Sequence, residues 1–265
     1  MIAERSTFRE MAMLGRRLEG ELVIDAHTHI GGMSKIYHLP DSSTDEMIRE
    51  MDRLGIDRAI TFPYSSITSD FAPGNDIAAD AVRRYPDRFV GFACVNPHYY
   101  TEMKDELERC RKMGLRGIKL IADYQRYPTD GPNLFPAYEY AHEHSWIMLN
   151  HNWGHPDFLS GLATTYSKAC FIIGHYFNTP TYADVIARHD NVFQCTCAAL
   201  NFGDIENMLA AIPAEKIVFG SDVPDLPLMF SMGPILYARI PDDDKRKILG
   251  LTAKTMLDKW PGTDL

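Results

Sequence analysis

His27-Thr28-His29, which follows the apolar run Leu22-Val23-Ile24-Asp25-Ala26, is the stretch with the clearest chemical potential. Residues i and i+2 of an extended strand project to one face, so both imidazoles can reach a single ion without backbone distortion. Three later segments repeat the pattern of an apolar run ending in a ligand-type residue: Trp146-Ile147-Met148-Leu149-Asn150-His151, Cys170-Phe171-Ile172-Ile173-Gly174-His175 and Ile217-Val218-Phe219-Gly220-Ser221-Asp222. Singly, each has an ordinary explanation, since a histidine can be a satisfied core residue and an Asp after Gly-Ser can cap a turn. Together, imidazoles and a carboxylate at several strand ends describe a site for a divalent ion, which acidifies water and polarises a carbonyl. Cys195-Thr196-Cys197 also places two donors on one strand face. The pair lacks the Cys-x-x-Cys spacing of zinc sites and reads as small residues filling a barrel.

These runs need a frame that brings them to one rim. Short apolar, β-branched runs alternate with longer amphipathic segments along the whole chain, the pattern of parallel strands linked by helices. Eight strands are predicted, at 22–27, 58–62, 88–95, 116–120, 146–150, 170–174, 192–196 and 217–221. Ser43-Thr44-Asp45-Glu46 forms a capping box, and Met47, Ile48, Met51 and Leu54 follow at helical spacing before Gly55. Further helices are predicted at 75–85, 101–113, 134–144, 180–189, 203–211 and 242–258. The reading is an α/β chain folded as a distorted TIM (β/α)8 barrel over 21–265, with a short N-terminal helical extension, 1–20, capping the barrel bottom. The irregular segments 64–74, 121–132, 152–157 and 223–234 follow strand ends. In a β/α barrel such loops gather on the C-terminal face, where pockets are built.

A chain of 265 residues suits one such barrel, and a net charge of -9 without an acidic tail argues against nucleic-acid or anionic-membrane partners. No run approaches the roughly 18 apolar residues of a membrane span, and Met1-Ile2-Ala3-Glu4-Arg5 lacks the order of a signal peptide. Five cysteines, an odd number in mostly apolar contexts, suggest buried reduced thiols. The expected compartment is the cytoplasm, the expected partner a small molecule, and a homodimer is the default assembly.

Beyond the ligand-type residues, Tyr85-Pro86-Asp87-Arg88-Phe89-Val90-Gly91-Phe92, Gly114-Leu115-Arg116-Gly117-Ile118-Lys119-Leu120 and Val218-Phe219-Gly220-Ser221-Asp222-Val223-Pro224 make the chain similar to the amidohydrolase superfamily. The resemblance is to the branch of amidohydrolase-related hydrolases and nonoxidative decarboxylases, and it runs from Val23 to Leu257. It implies that His27, His29, His151 and Asp222 hold one divalent metal, with His175 beside the metal-bound water and Asp222 accepting that water's proton. Zinc is the expected ion, with iron, manganese and cobalt as alternatives. Lys119 closes the fourth strand and is read as a cation facing substrate; if carboxylated, it would bridge a second metal. Trp153 and Tyr124 are candidate pocket walls, and His155 a candidate substrate contact from the same rim. Arg116 and Arg126 could bind a substrate carboxylate, although Arg116 begins its strand. The chain departs from the family pattern at Ile121, Tyr176-Phe177-Asn178 and Leu251-Thr252-Ala253, which reshapes the pocket without removing a ligand. The expected activity is metal-dependent hydrolysis of an ester, lactone or amide bond in a small carboxylated metabolite. The alternatives are a metal-dependent nonoxidative decarboxylase and a catalytically silent barrel, the intact ligand set weighing against the last.

Overall fold

In the computed structural model, which describes residues 7–31, 41–68, 71–176 and 179–262, parallel strands are wrapped by helices. The strands are β1 (Ile24–Ile30), β2 (Arg58–Pro63), β3 (Phe89–Gly91), β4 (Ala93–Cys94), β5 (Gly117–Leu120), β6 (Ile147–Asn150), β7 (Cys170–Ile173), β8 (Val192–Cys195) and β9 (Ile217–Val218). They form one sheet ordered β1-β2-β3 and another running in order from β4 to β9. The predicted strand over 88–95 is thus broken at Phe92, and its two pieces belong to different sheets. The Arg116 amide, 2.9 Å from the Gly91 carbonyl, crosses that gap. The opposite gap is crossed by Ala26 N to Phe219 O at 2.7 Å, Asp222 N to His27 O at 2.9 Å and His29 N to Val223 O at 2.7 Å, with Thr28 and Val223 bridged in parallel. Nine segments therefore occupy the eight expected strand positions of a TIM-like barrel.

The helices are α1 (Thr7–Met13), α2 (Thr44–Leu54), α3 (Tyr64–Thr68), α4 (Phe71–Arg84), α5 (Met103–Lys112), α6 (Phe135–Glu143), α7 (Pro156–Thr165), α8 (Thr179–Arg188), α9 (Asp204–Ala211), α10 (Leu228–Tyr237), α11 (Asp242–Arg246) and α12 (Thr252–Lys259). The capping box works as read: the Ser43 hydroxyl accepts from Glu46 N, and Gly55 ends α2 in the left-handed region. The sequence reading missed α3, α7 and α10. Helix α10 is apolar on nearly every side and carries Pro234, so no helical period marks it. The predicted helix over 242–258 is interrupted by a π-helical turn, Lys247–Leu251. There a Cβ on Gly250 would lie 2.1 Å from the Leu22 carbonyl oxygen, so only glycine admits that approach.

Two apolar layers result. The outer one lies between strands and helices, and the inner one fills the barrel with Ile60, Phe62, Phe92, Leu149, Ile172 and Val218 among others. Ala253, Met256 and Trp260 from the C-terminal segment belong to this inner layer. The bottom of the barrel is therefore plugged by α12, not by the N-terminal helix. Instead α1 packs along α10, and Thr7 N donates to Asp242 Oδ2 at 2.7 Å. No described helix is long and apolar enough to cross a membrane.

Candidate metal centre

The strand β1 extends past the predicted end at 27 to Ile30, and a register shift against β2 between Asp25 and Thr28 marks a β-bulge. Ile24 and Ala26 face the barrel interior. Strict alternation from them would send His27 and His29 outward. The extra residue of the bulge turns both imidazoles inward instead, a re-aiming that bulges commonly perform beside functional sites. Their Nε2 atoms each lie 3.1 Å from the same oxygen, Asp222 Oδ1. The Asp222 backbone takes φ of 64°, left-handed for a residue that tolerates it better than most, and the bond from its amide to His27 O holds it there. Asp25 ties the same seam together, its Oδ1 accepting from His27 N at 3.1 Å and Ser221 N at 3.0 Å. A Cβ on Gly220 would sit 2.2 Å from Cys195 Sγ and 2.8 Å from His27 Cβ, so the approach of the last strand to the first requires glycine.

The donor set fits a divalent ion. Bonds of about 2.0–2.1 Å at tetrahedral angles separate neighbouring ligand atoms by about 3.3 Å, close to the spacing found here. Burial holds His27 down to about 3, with the Lys119 ammonium acting in the same direction, and burial also lowers His29. Burial alone would raise the Asp222 carboxyl, but its imidazole partners, His27 foremost, outweigh that and hold it well below the carboxylate range. At neutral pH the group is a carboxylate with neutral imidazoles, the protonation state an ion requires. The Nδ1 atoms of His27 and His29 are buried and find no hydrogen-bond partner among the described residues. Ring packing orients His29 instead: it stacks on Tyr64 at 4.4 Å and meets Phe62 edge-on at 4.5 Å.

His151 and His175 close the other side. Their rings are 4.3 Å apart, and the His175 ring is 5.7 Å from that of His27. His151 does not enter the tight group of His27, His29 and Asp222; its Nδ1 is held 3.0 Å from Asp123 Oδ2. His175 is buried, which lowers it to about 2, with His27 and His151 adding to the effect. Its Nδ1 lies 3.4 Å from Cys197 Sγ. Together with Asp222, His175 and Cys197 form a second group whose ligand atoms all lie within 4.8 Å of one another. Cys197, read from the sequence as barrel filling, is thus both buried in the inner layer and part of the site.

Lys119 is 2% exposed, with Nζ 3.1 Å from His27 Nε2 and 4.6 Å above the Phe62 ring. A solvated lysine is excluded, and burial lowers its affinity for a proton while Asp222 works against that. It sits against the very nitrogen an ion would use. Tyr124 packs 5.2 Å from His151 and against the inner layer. Trp153 is not a pocket wall: it is fully buried in the outer layer, its indole donates to Ile172 O at 2.9 Å, and Tyr138 and Phe171 pack on it. His155 is exposed and serves as the N-cap of α7, accepting from Asp157 N at 3.2 Å. The same local chemistry, Pro156 at the first helical position, starts the helix the sequence reading missed. Arg116 immediately precedes β5, beside Gly262, and Arg126 is exposed with φ of 54°. Ile121 belongs to the inner layer; Phe177 and Asn178 lie outside the described residues. Sequence reasoning missed Asp25, Tyr64 and Asp123. Only Asp25 left a signal, standing two residues before the first histidine.

The sequence profile of the family described as amidohydrolase matches residues 24–259. A curated relative, 4-sulfomuconolactone hydrolase of Rhizobium radiobacter, is 25% identical over 268 residues, spanning 87% of this chain and 82% of the relative. Among solved structures, an uncharacterised TIM-barrel protein from Bordetella bronchiseptica matches with a TM-score of 0.75 at 17% identity, over 91% of this chain and 99% of that one. A dihydroxybenzoic acid decarboxylase from Polaromonas, with bound manganese and the inhibitor 2-nitroresorcinol, matches with a TM-score of 0.70 at 17% identity, over 92% of this chain and all of that one. At such identities these two likenesses establish the barrel fold.

Proposed function

The chain belongs to the amidohydrolase family, and from that premise we propose that it is a metal-dependent hydrolase opening an ester, lactone or amide bond of a small carboxylated metabolite, with a lactone the first candidate. The observation that carries this reading is the convergence of two buried neutral imidazoles on one carboxylate oxygen, each at 3.1 Å. His27, His29 and Asp222 would hold one ion, for which zinc is our assignment. His151 would supply the fourth ligand: with Nδ1 committed to Asp123, its Nε2 is left for an ion, the arrangement usual for metal-bound histidines. When bound, a divalent ion supplies Lewis acidity at neutral pH, toward water and a carbonyl oxygen alike. Asp222 receives the proton released by the attacking water, and neutral His175 orients that water. Lys119 contributes positive charge beside the reacting carbonyl, and Tyr124 borders the substrate at the rim. His155 and Trp153, placed at a helix cap and in the outer layer, take no part in this mechanism.

The similarity to 4-sulfomuconolactone hydrolase favours lactone opening. A second reading, nonoxidative decarboxylation, is favoured by the solved decarboxylase that shares the barrel. Zinc-loaded protein incubated with a panel of lactones and aromatic acids, following proton release and carbon dioxide separately, distinguishes the two. Metal-dependent proton release from a lactone supports hydrolysis; carbon dioxide from an aromatic acid without lactone opening overturns it.

A further inference from the structure

We propose that Cys197, His175 and Asp222 form a second cation site, sharing Asp222 with the His27–His29 group and built for a thiophilic divalent ion such as zinc or cadmium. The proposal depends on the metal-centre reading only through the shared carboxylate; it does not depend on the reaction catalysed. Three observations carry it. First, the donor atoms lie within 4.8 Å of one another, and the Cys197 Sγ to His175 Nδ1 separation is 3.4 Å. A tetrahedral centre with a metal–sulfur bond of about 2.3 Å and a metal–nitrogen bond of about 2.0–2.1 Å separates those two atoms by about 3.5 Å.

Second, the backbones that carry the donors are fixed to one another. Tyr176 N donates to Cys197 O at 2.8 Å, tying the residue after His175 to the cysteine itself. Gln194 Nε2 donates to His175 O at 3.0 Å, and Thr196 N donates to Val218 O at 2.9 Å on the strand that leads to Asp222. The donors are therefore preorganised, and little ordering is left for the ion to impose. Third, the thiol is fully buried inside a barrel that already offers imidazole and carboxylate, where a purely apolar side chain would fill the same space. On binding, the S–H bond breaks, sulfur keeps the electron pair as the metal–sulfur bond forms, and the proton leaves to solvent. The thiolate offsets one of the two positive charges that a second ion would add near Lys119. Sulfur also selects the ion, since thiolate favours zinc and cadmium over magnesium or manganese.

The test uses the full chain, freed of metal by a chelator and titrated with cobalt(II) while the near-ultraviolet thiolate-to-cobalt band is followed. The band is expected to grow with the second equivalent, to persist in Cys195→Ser and to vanish in Cys197→Ser, whose cobalt stoichiometry should fall by one. Cobalt loading without a band, or a band that survives Cys197→Ser, overturns the proposal. Should Cys197→Ser not fold, cadmium NMR of the wild type decides alone, because a sulfur ligand moves the cadmium resonance far downfield of a nitrogen and oxygen shell. A resonance confined to the nitrogen and oxygen range excludes the site. Failure of lactone hydrolysis leaves these readouts untouched, and their failure leaves hydrolysis at the first group intact.

Discussion

Acidification of the metal-free protein tests the protonation state assigned to the site. His27 and His175 are buried and held at about 3 and about 2, whereas a histidine in an unfolded chain titrates near 6.5. Between those limits the unfolded chain takes up protons that the folded chain refuses. Stability therefore rises with pH through this window and is lost as pH falls below about 6.5. Going from about pH 7.5 to about pH 5.5 costs roughly 1.4 kcal/mol for each such histidine, or about 3 kcal/mol for the pair. His29, lowered in the same direction by burial, adds to the loss. Asp222 does not offset it, because a carboxyl held below its ordinary range stays ionised in both states above about pH 5. Asp25 does: burial raises it to about 7, so the folded chain takes up a proton there that the unfolded chain refuses, and roughly 2 kcal/mol is returned over the same interval. Because the two contributions oppose each other, the histidine part of about 3 kcal/mol is read from the difference between wild type and a histidine variant. Urea unfolding in the presence of chelator, followed by far-ultraviolet circular dichroism at three pH values, measures it directly. In His175→Gln the loss should shrink by about 1.4 kcal/mol. A pH dependence of stability unchanged between wild type and His175→Gln would refute the buried neutral imidazole.

Three further outcomes are expected. Gly220→Ala forces a methyl against Cys195 Sγ and His27 Cβ, which the Cβ position approaches to 2.2 Å and 2.8 Å. It should cost about 1–3 kcal/mol and weaken ion binding together, and wild-type stability with wild-type metal affinity would contradict the packing. His175→Asn should retain the ion held by His27, His29 and Asp222 while turnover falls by about 10²–10⁴, so metal analysis beside kinetics separates a positioning role from a primary ligand. Trp153→Phe removes the indole's donation to the Ile172 carbonyl and part of the buried ring and should lower stability by about 1–3 kcal/mol with KM unchanged; a raised KM would put the indole back at the mouth.

Most of the frame was legible because parallel strands buried on both faces write themselves as continuous apolar runs, and each run in 22–27, 58–62, 146–150 and 170–174 overlaps an observed strand. Helix α2 was legible for a different reason, since both its cap residues are local chemistry. What escaped was decided by tertiary contact. Helix α7 is started by a histidine acting as a cap, and α10 has no polar face from which to read a period. The burial of Trp153 in the outer layer depends on where β6 ends, and nothing in Asn150-His151-Asn152-Trp153 specifies it. Cys197 is small and apolar in composition statistics, so only its 3.4 Å approach to His175 separates a ligand candidate from filler.

The central histidine pair shows how far spacing alone reaches. His-x-His guarantees that two side chains share a face, yet it is silent on which face, and an unbroken β1 would have pointed both away from the barrel. The bulge that reverses them lies in the register of β1 against β2, and on its other edge β1 is joined to the segment ending in Asp222 by hydrogen bonds from Ala26, His29 and Asp222. Asp25 and Gly220 belong to that seam as well. The hydrogen bonds that join the first and last strands therefore also place Asp222 beside the histidines. A substitution that loosens the seam should reduce ion affinity even when it touches no ligand, and the coupling of Gly220→Ala to metal binding is the direct measure of it.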